Sequence, residues 1–246
     1  MSDYLRTIEE AAMNAWPATR QMLYDGWLLR FTGGKSKRVN SVNLLYESTK
    51  PLAEKIQTCA SIYARQGQPC LFRVTDLFSP PGLKQALSEG GYSPFDTTFV
   101  LGRKLRLSGV HYPGVTILEM PMADWFRLRD QFIRVSAVDR QIHESILMSI
   151  VPDRVLLGLF SNGKPAACGM GVVEAGLLGF FSIHTAASWR RKGYGRLIMG
   201  ALTDWGMERG ATYGYLQVEN GNRPALEMYK KLGYEQCYQY VYYGKK

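Results

Sequence analysis

The sequence predicts an α/β protein built as two tandem units, and three observations carry that prediction. Apolar strand-like runs alternate with helical periodicity along the whole chain. The two halves close on the same order of motifs. Only the second half holds a basic, glycine-punctuated turn between a strand and a helix. A length of 246 residues suits one large domain or two small ones, and an apolar fraction of 46% is ample for a packed core.

Residues 3–15 read as a helix closed by Trp16-Pro17, because the residue before a proline is pushed away from helical angles. The β-rich runs 26–32 and 39–46, joined by Gly33-Gly34-Lys35-Ser36, predict a hairpin. Residues 51–65 form a helix with proline at a tolerated early position. A strand over 70–75, a helix over 81–88 ended by Gly90-Gly91, and a strand over 95–105 complete the first set. The second set has a strand over 115–120 and a helical stretch over 122–150 in two pieces. Strands over 154–160 and 165–173 follow, separated by Ser161-Asn162-Gly163. After the glycine turn come a strand over 213–219, a short helix over 224–232 and a last strand over 237–243.

Leu71-Phe72-Arg73-Val74, a short helix, Gly91-Tyr92 and a strand end the first half; Tyr215-Leu216-Gln217-Val218, a short helix, Gly233-Tyr234 and a strand end the second. Such self-similarity predicts duplication of one α/β unit. The chemistry-bearing stretch is Arg190-Arg191-Lys192-Gly193-Tyr194-Gly195. It follows the strand Leu177-Leu178-Gly179-Phe180-Phe181-Ser182-Ile183 and opens a helix over 196–209 with Leu197, Ile198, Ala201, Leu202 and Trp205 on one face. Glycines let the backbone come close to a ligand and aim several N–H groups one way, and a helix start adds partial positive charge. The turn is therefore suited to an anion such as a pyrophosphate.

The formal net charge of +9 is spread along the chain, and even Lys35-Ser36-Lys37-Arg38 is interrupted by a serine. That favours a solvated surface over nucleic-acid binding. Cys59, Cys70, Cys168 and Cys237 have no metal-ligand spacing, so no metal is expected. A polar start and the lack of any bilayer-length apolar run predict a cytoplasmic protein away from the membrane. Gly33-Gly34-Lys35-Ser36 fails as a nucleotide P-loop, since Leu29 stands where the first glycine belongs and a strand follows. His143-Glu144 fails as a zinc motif, with Leu147 in place of the second histidine.

Arg190-x-x-Gly193-x-Gly195 is followed by Val218-x-x-x-Asn222-x-x-Ala225-x-x-x-Tyr229-x-x-x-Gly233-Tyr234, a strand and then a helix. This pair of motifs strongly resembles the GCN5-related N-acetyltransferase (GNAT) family, roughly over residues 115–246. Asp25-Gly26-Trp27-Leu28-Leu29-Arg30, with Arg38-Val39-Asn40-Ser41-Val42, looks like the N-terminal half of its tandem members. The resemblance implies two units, each a mixed, mostly antiparallel sheet flanked by helices. Residues 1–110 would be a degenerate unit without the cofactor loop, and 111–246 the unit that binds acetyl-coenzyme A (acetyl-CoA). Its pyrophosphate would sit on the turn formed by Arg190, Arg191, Lys192, Gly193, Tyr194, Gly195 and Arg196. Main-chain groups of Ile183 and Thr185, with Asn222, would hold the pantetheine arm. Asn222 can also cap the following helix.

Tyr229 would lie near the sulfur and protonate the leaving thiolate, since a free thiol has a pKa of about 8.5 and a tyrosine about 10. The strand before the turn lacks the glutamate some members carry, leaving Glu219, His184 or a water chain to deprotonate the amine. No cysteine occupies a motif position, so direct transfer to a primary amine, on a small molecule or a protein, is expected. Acceptor specificity is expected in residues 125–150 and in loops near the domain boundary, with the first half burying an edge of the active unit or walling the acceptor cleft. Two other functions fit the same residues: an aminoacyl transferase using charged tRNA, which requires salt-dependent RNA binding, and a non-catalytic acyl-CoA sensor.

Overall fold

The structure is a computed structural model and describes residues 2–109 and 113–245. The border expected between the two units, at 110/111, lies outside the described residues. Helix α1 (Ser2–Asn14) leads into β1 (Arg20–Tyr24), β2 (Trp27–Phe31) and β3 (Val42–Leu44). Helix α2 (Leu52–Arg65), β4 (Phe72–Thr75), α3 (Leu83–Glu89) and β5 (Ser93–Lys104) complete the first half. The second half runs β6 (Val115–Glu119), α4 (Met122–Arg129), α5 (Ala137–Met148), β7 (Asp153–Ser161), β8 (Lys164–Glu174) and β9 (Leu177–Thr185). It ends with α6 (Tyr194–Glu208), β10 (Tyr213–Glu219), α7 (Arg223–Lys231) and β11 (Glu235–Gly244).

Among the described residues eleven strands form one sheet, in the order β1-β2-β3-β4-β11-β5-β10-β9-β8-β7-β6. The last strand of each half lies inside the other: β11 sits between β4 and β5, and β5 between β11 and β10. Reading outward from the antiparallel β5–β11 pair, β4-β3-β2-β1 on one side matches β10-β9-β8-β7 on the other. The directions match too, with β3–β4 and β9–β10 parallel and their neighbours antiparallel. This is the duplication that the repeated motif order predicted, with the two closing strands exchanged. Exchange joins two mixed, mostly antiparallel units into a continuous sheet and covers the edge each would otherwise expose.

Side-chain alternation assigns the layers. Along β11, Tyr238, Tyr240 and Tyr242 enter the core shared with α1, α4 and α5, which includes Trp16, Trp125, Phe126 and Phe181. Tyr243 and Val241 point the other way, into the core beneath α2 and α3. Leu216 and Val218 of β10 likewise face α6 and α7. Among the described residues no helix is long and apolar enough to cross a membrane.

Two local expectations change. The 26–32 and 39–46 runs do pair antiparallel, but residues 37–39 form a 3-10 turn and only Val42–Leu44 is strand. Strand β1 was not expected. Its residues are almost all exposed at the sheet edge, so no buried alternation marks it, and the Asp25-Gly26 turn (φ 44° and 82°) dictates its pairing with β2. Asn162-Gly163 makes the matching turn in the second half (φ 48° and 74°).

Asp25 also sets the first unit apart from the second. The β3–α2 connection is the counterpart of the glycine turn, and there the amides of Thr49 and Lys50 donate to the Asp25 carboxylate at 3.0 Å. Thr49 Oγ1 adds a bond of 2.7 Å, and the buried Lys55 ammonium pairs with it at 3.1 Å. The connection into the helix is filled by the protein's own anion. The Thr49 bonds hold the Asp25 carboxyl well below the usual carboxylate range. A depressed pKa stabilises the fold above the unfolded-state value of about 3.9, and that contribution is lost as pH falls below it. The melting temperature of the wild type is therefore expected to drop between pH 4 and pH 2 more steeply than that of Asp25→Asn. Parallel curves would show that Asp25 carries no such linkage.

Candidate active site

Strand β9 runs into a 3-10 turn at residues 187–189 and then into α6, whose N-cap is Gly193 with φ 87°. Arg191 is also left-handed, at φ 63°. Among the described residues, none of the five amides of residues 191–195 finds an acceptor, whereas Arg196 N–H donates to Gly193 O at 2.9 Å. Five free donors at the head of a 15-residue helix form a concave positive surface on exposed backbone. A hydrogen bond between Tyr194 Oη and Ser161 Oγ (2.7 Å) ties the turn to β7. A Cβ at Gly195 would lie 2.9 Å from Met228 Sδ, so α7 packs directly beneath the turn.

The strand before the turn is pulled away from its neighbour. β9 pairs with β10 only from Leu177–Tyr213 to Phe180–Leu216. Beyond that, a bulge opposite Cys168–Met170, with Ser182 at φ 49°, turns β9 aside. Gly169 leaves room for it, since a Cβ there would meet Ile183 Cδ1 at 2.7 Å. The edge of β9 from Phe181 onward is left without a β10 partner, open to an extended ligand.

A cavity of about 420 Å³ lies in this gap. Ile183, His184, Glu219, Asn222 and Tyr229, all read from the sequence as site residues, line it together. Thr185 follows on β9, and Arg190 reaches back to it through Nε to Thr185 O (3.4 Å). Asn222 Oδ1 accepts from Ala225 N at 3.3 Å and so caps α7 while facing the cavity. Burial pushes the Tyr229 phenol up to about 12, which keeps it protonated. Burial, with Arg129 and Arg190 nearby, pushes the His184 imidazole down to about 4: neutral at pH 7, but a weak base. Glu219 is exposed at the end of β10. Among the described residues no cysteine lines the cavity, and burial raises the Cys168 thiol to about 12.

The rest of the lining was not legible in the sequence. It consists of Lys35, Ser36, Lys37 and Arg38 from the first half, with Thr98, Gln217, Tyr240 and Tyr242. None of the described residues 125–150, where acceptor specificity was expected, lines the cavity. Helix α5 instead supports the wall: Ile142 presses on Gly34, and Asp139 pairs with Lys35 at 3.3 Å. The sequence marks this segment only as a glycine-led basic turn, 33–38. At the matching place in the first half, beside Asn43 and Arg73, the space shrinks to about 10 Å³.

Comparison with known proteins identifies the family and the fold. The family described as "Probable histone acetyltransferase Rv0428c C-terminal" matches residues 2–243. YobR of Bacillus subtilis, described as an uncharacterized N-acetyltransferase, is 28% identical over 99% of this chain and 100% of its own length. A probable histone acetyltransferase of Mycobacterium tuberculosis is 27% identical over 88% of this chain and 66% of its own. Among solved structures, a GCN5-related N-acetyltransferase from Kribbella flavida superposes with a TM-score of 0.70 at 18% identity, over 98% of this chain and 95% of that one. A tandem GNAT protein from the clavulanic acid pathway gives 0.65 at 10% identity, over 82% and 74%. The chain therefore belongs to the Rv0428c C-terminal acetyltransferase family and has the fold of tandem GNAT proteins.

Proposed function

We propose that the protein moves an acetyl group from acetyl-CoA to a primary amine by direct transfer. The observation that carries this reading is the conjunction of five unpaired amides at the head of α6 with an unpaired β9 edge leading into a cavity. These fit a diphosphate joined to an extended, amide-bearing arm. Residues 191–195 would hold the diphosphate, and the β9 edge with Asn222 the arm. Acetyl-CoA supplies a thioester whose C–S bond breaks as the amine forms a C–N bond.

The protein's own groups do the rest. Tyr229 faces the leaving sulfur as a protonated donor, and the wall of the first half excludes water from the acceptor. The depressed basicity of His184 leaves Glu219, with water, to take the ammonium proton. Histone acetylation, named for the mycobacterial relative, would bring a basic tail against Lys35, Lys37 and Arg38, which disfavours it here.

Titration calorimetry with acetyl-CoA tests the reading. Binding is expected for the wild type, and Gly195→Leu is expected to weaken it at least tenfold, because its side chain must displace Met228 or cover the free amides. Equal affinity in both proteins, or none in either, would remove the turn from cofactor binding.

A further inference from the structure

The cavity wall contributed by the first half contains one cation that the protein leaves without a counter-ion. Lys35 pairs with Asp139 at 3.3 Å and Lys37 with Asp96 at 2.8 Å, but among the described residues Arg38 has no ion pair. Its guanidinium is held in place by other means. It stacks over the rings of Trp16 (5.0 Å) and Phe181 (5.9 Å), and it donates from Nη1 to Gln217 Oε1 at 3.4 Å. Tyr240 Oη donates to that same oxygen at 2.9 Å, so Gln217 fixes both donors on one spot. Beside them the Tyr242 hydroxyl is buried next to that of Tyr240, and its residue lines the cavity.

The same cavity holds an unpaired anion. Glu219 lies two residues beyond Gln217 on β10, on the same face of the strand and about 7 Å along it. Among the described residues it too has no ion pair, and it lines the cavity with Arg38. A cation at one point, and a carboxylate one strand repeat away, complement a molecule that carries both charges. Arginine matches a carboxylate geometrically, with two parallel N–H donors.

Resting on the acetyltransferase reading above, we infer that the acceptor is a zwitterionic amine: an amino acid, or another small amine with a neighbouring carboxylate. Its carboxylate binds Arg38, and its ammonium faces Glu219. Proton loss at the Glu219 end frees the nitrogen lone pair, the new C–N bond forms at the acetyl carbonyl, and the C–S electrons leave with the thiolate. The first half is thus the acceptor-recognition element for the catalytic half.

The test is turnover of acetyl-CoA, read as released thiol, with paired probes: free L-amino acids, the corresponding amino acid amides, and a terminally blocked lysine-rich peptide. Rates are taken from pH 7 to 9.5 and expressed per neutral amine, because an amide substituent lowers the pKa of its amine. For accepted side chains, kcat/KM is expected to be at least tenfold higher for the acid than for its amide, with the peptide poorer than either. Arg38→Gln should cut the acid-to-amide ratio at least tenfold, mainly through KM for the acid, and Arg38→Lys should restore part of it. Glu219→Gln should lower both members of a pair alike. Calorimetry with acetyl-CoA on each variant reports whether it is folded and separates the two claims. Absent cofactor binding in the wild type defeats the acetyltransferase reading itself. Intact binding defeats the acceptor assignment alone if amides or peptide equal the free acids, if Arg38→Gln lowers both members equally, or if no amino acid is acetylated.

Discussion

Replacing Tyr229 with phenylalanine is expected to lower kcat by about 100- to 10,000-fold, the usual contribution of a positioned acid, while leaving acetyl-CoA affinity within about twofold. The ring is buried, edge-to-face with Tyr234 at 5.9 Å, and stays packed when only the hydroxyl is removed. Burial raises that hydroxyl to about 12, so it keeps its proton throughout the working range. Against a free thiol of about 8.5, full transfer from such a phenol would be uphill by about 5 kcal/mol. The burial that raises the phenol also raises a thiol held beside it, which narrows the gap. The wild-type rate should therefore show no alkaline fall from Tyr229 below about pH 11, and the limb seen at lower pH should report the acceptor amine. Single-turnover measurement of thiol release in the two proteins checks this. Equal rates would assign leaving-group protonation to water.

Glu9→Ala is expected to destabilise the fold by about 3–5 kcal/mol, the cost of stranding one member of a buried ion pair. Glu9 and Arg73 are 1% and 4% exposed. Arg73 Nη2 donates to Glu9 Oε2 at 3.1 Å, a second guanidinium nitrogen meets Oε1, and Tyr238 Oη donates to the same carboxylate. The guanidinium also lies 3.6 Å from the centre of the Tyr240 ring. One carboxylate on α1 thus fastens that helix to β4 of the first half and to β11 of the second, across the exchanged strands. Removing it leaves Arg73 and Tyr238 buried without partners. Glu9→Gln, which still accepts hydrogen bonds, should lose less. Urea denaturation of the three proteins reads the order directly, and a loss under about 1 kcal/mol for Glu9→Ala would mean that water reaches Arg73.

The second half was legible because its signals are local. A strand, a left-handed glycine, a helix start and an Asn222 cap are each dictated by a few neighbouring residues, so β10 spans the very residues 213–219 read from the sequence. Splitting of the 122–150 stretch followed the same logic, with Ser136 capping α5 through Asp139 N. Edge strand β1 was missed because exposed residues leave no apolar alternation to read. The bulge at Ser182 was missed because the space that permits it belongs to Gly169 on another strand.

By itself the amino-acid sequence determined the α/β class, the duplicated order of elements, the glycine turn at residues 190–196 and the candidate site residues Tyr229 and Asn222. Only the tertiary structure decided that β5 and β11 change places, that Asp25 fills the connection into the first unit's helix, and that Lys35, Ser36, Lys37 and Arg38 line one cavity with Glu219. The reason is range. Backbone angles, caps and periodicity act over three or four residues and are written in adjacent letters. Strand exchange is chosen by which closing strand best covers an open edge, and it brings together residues 38 and 219, whose separation along the chain carries no local mark.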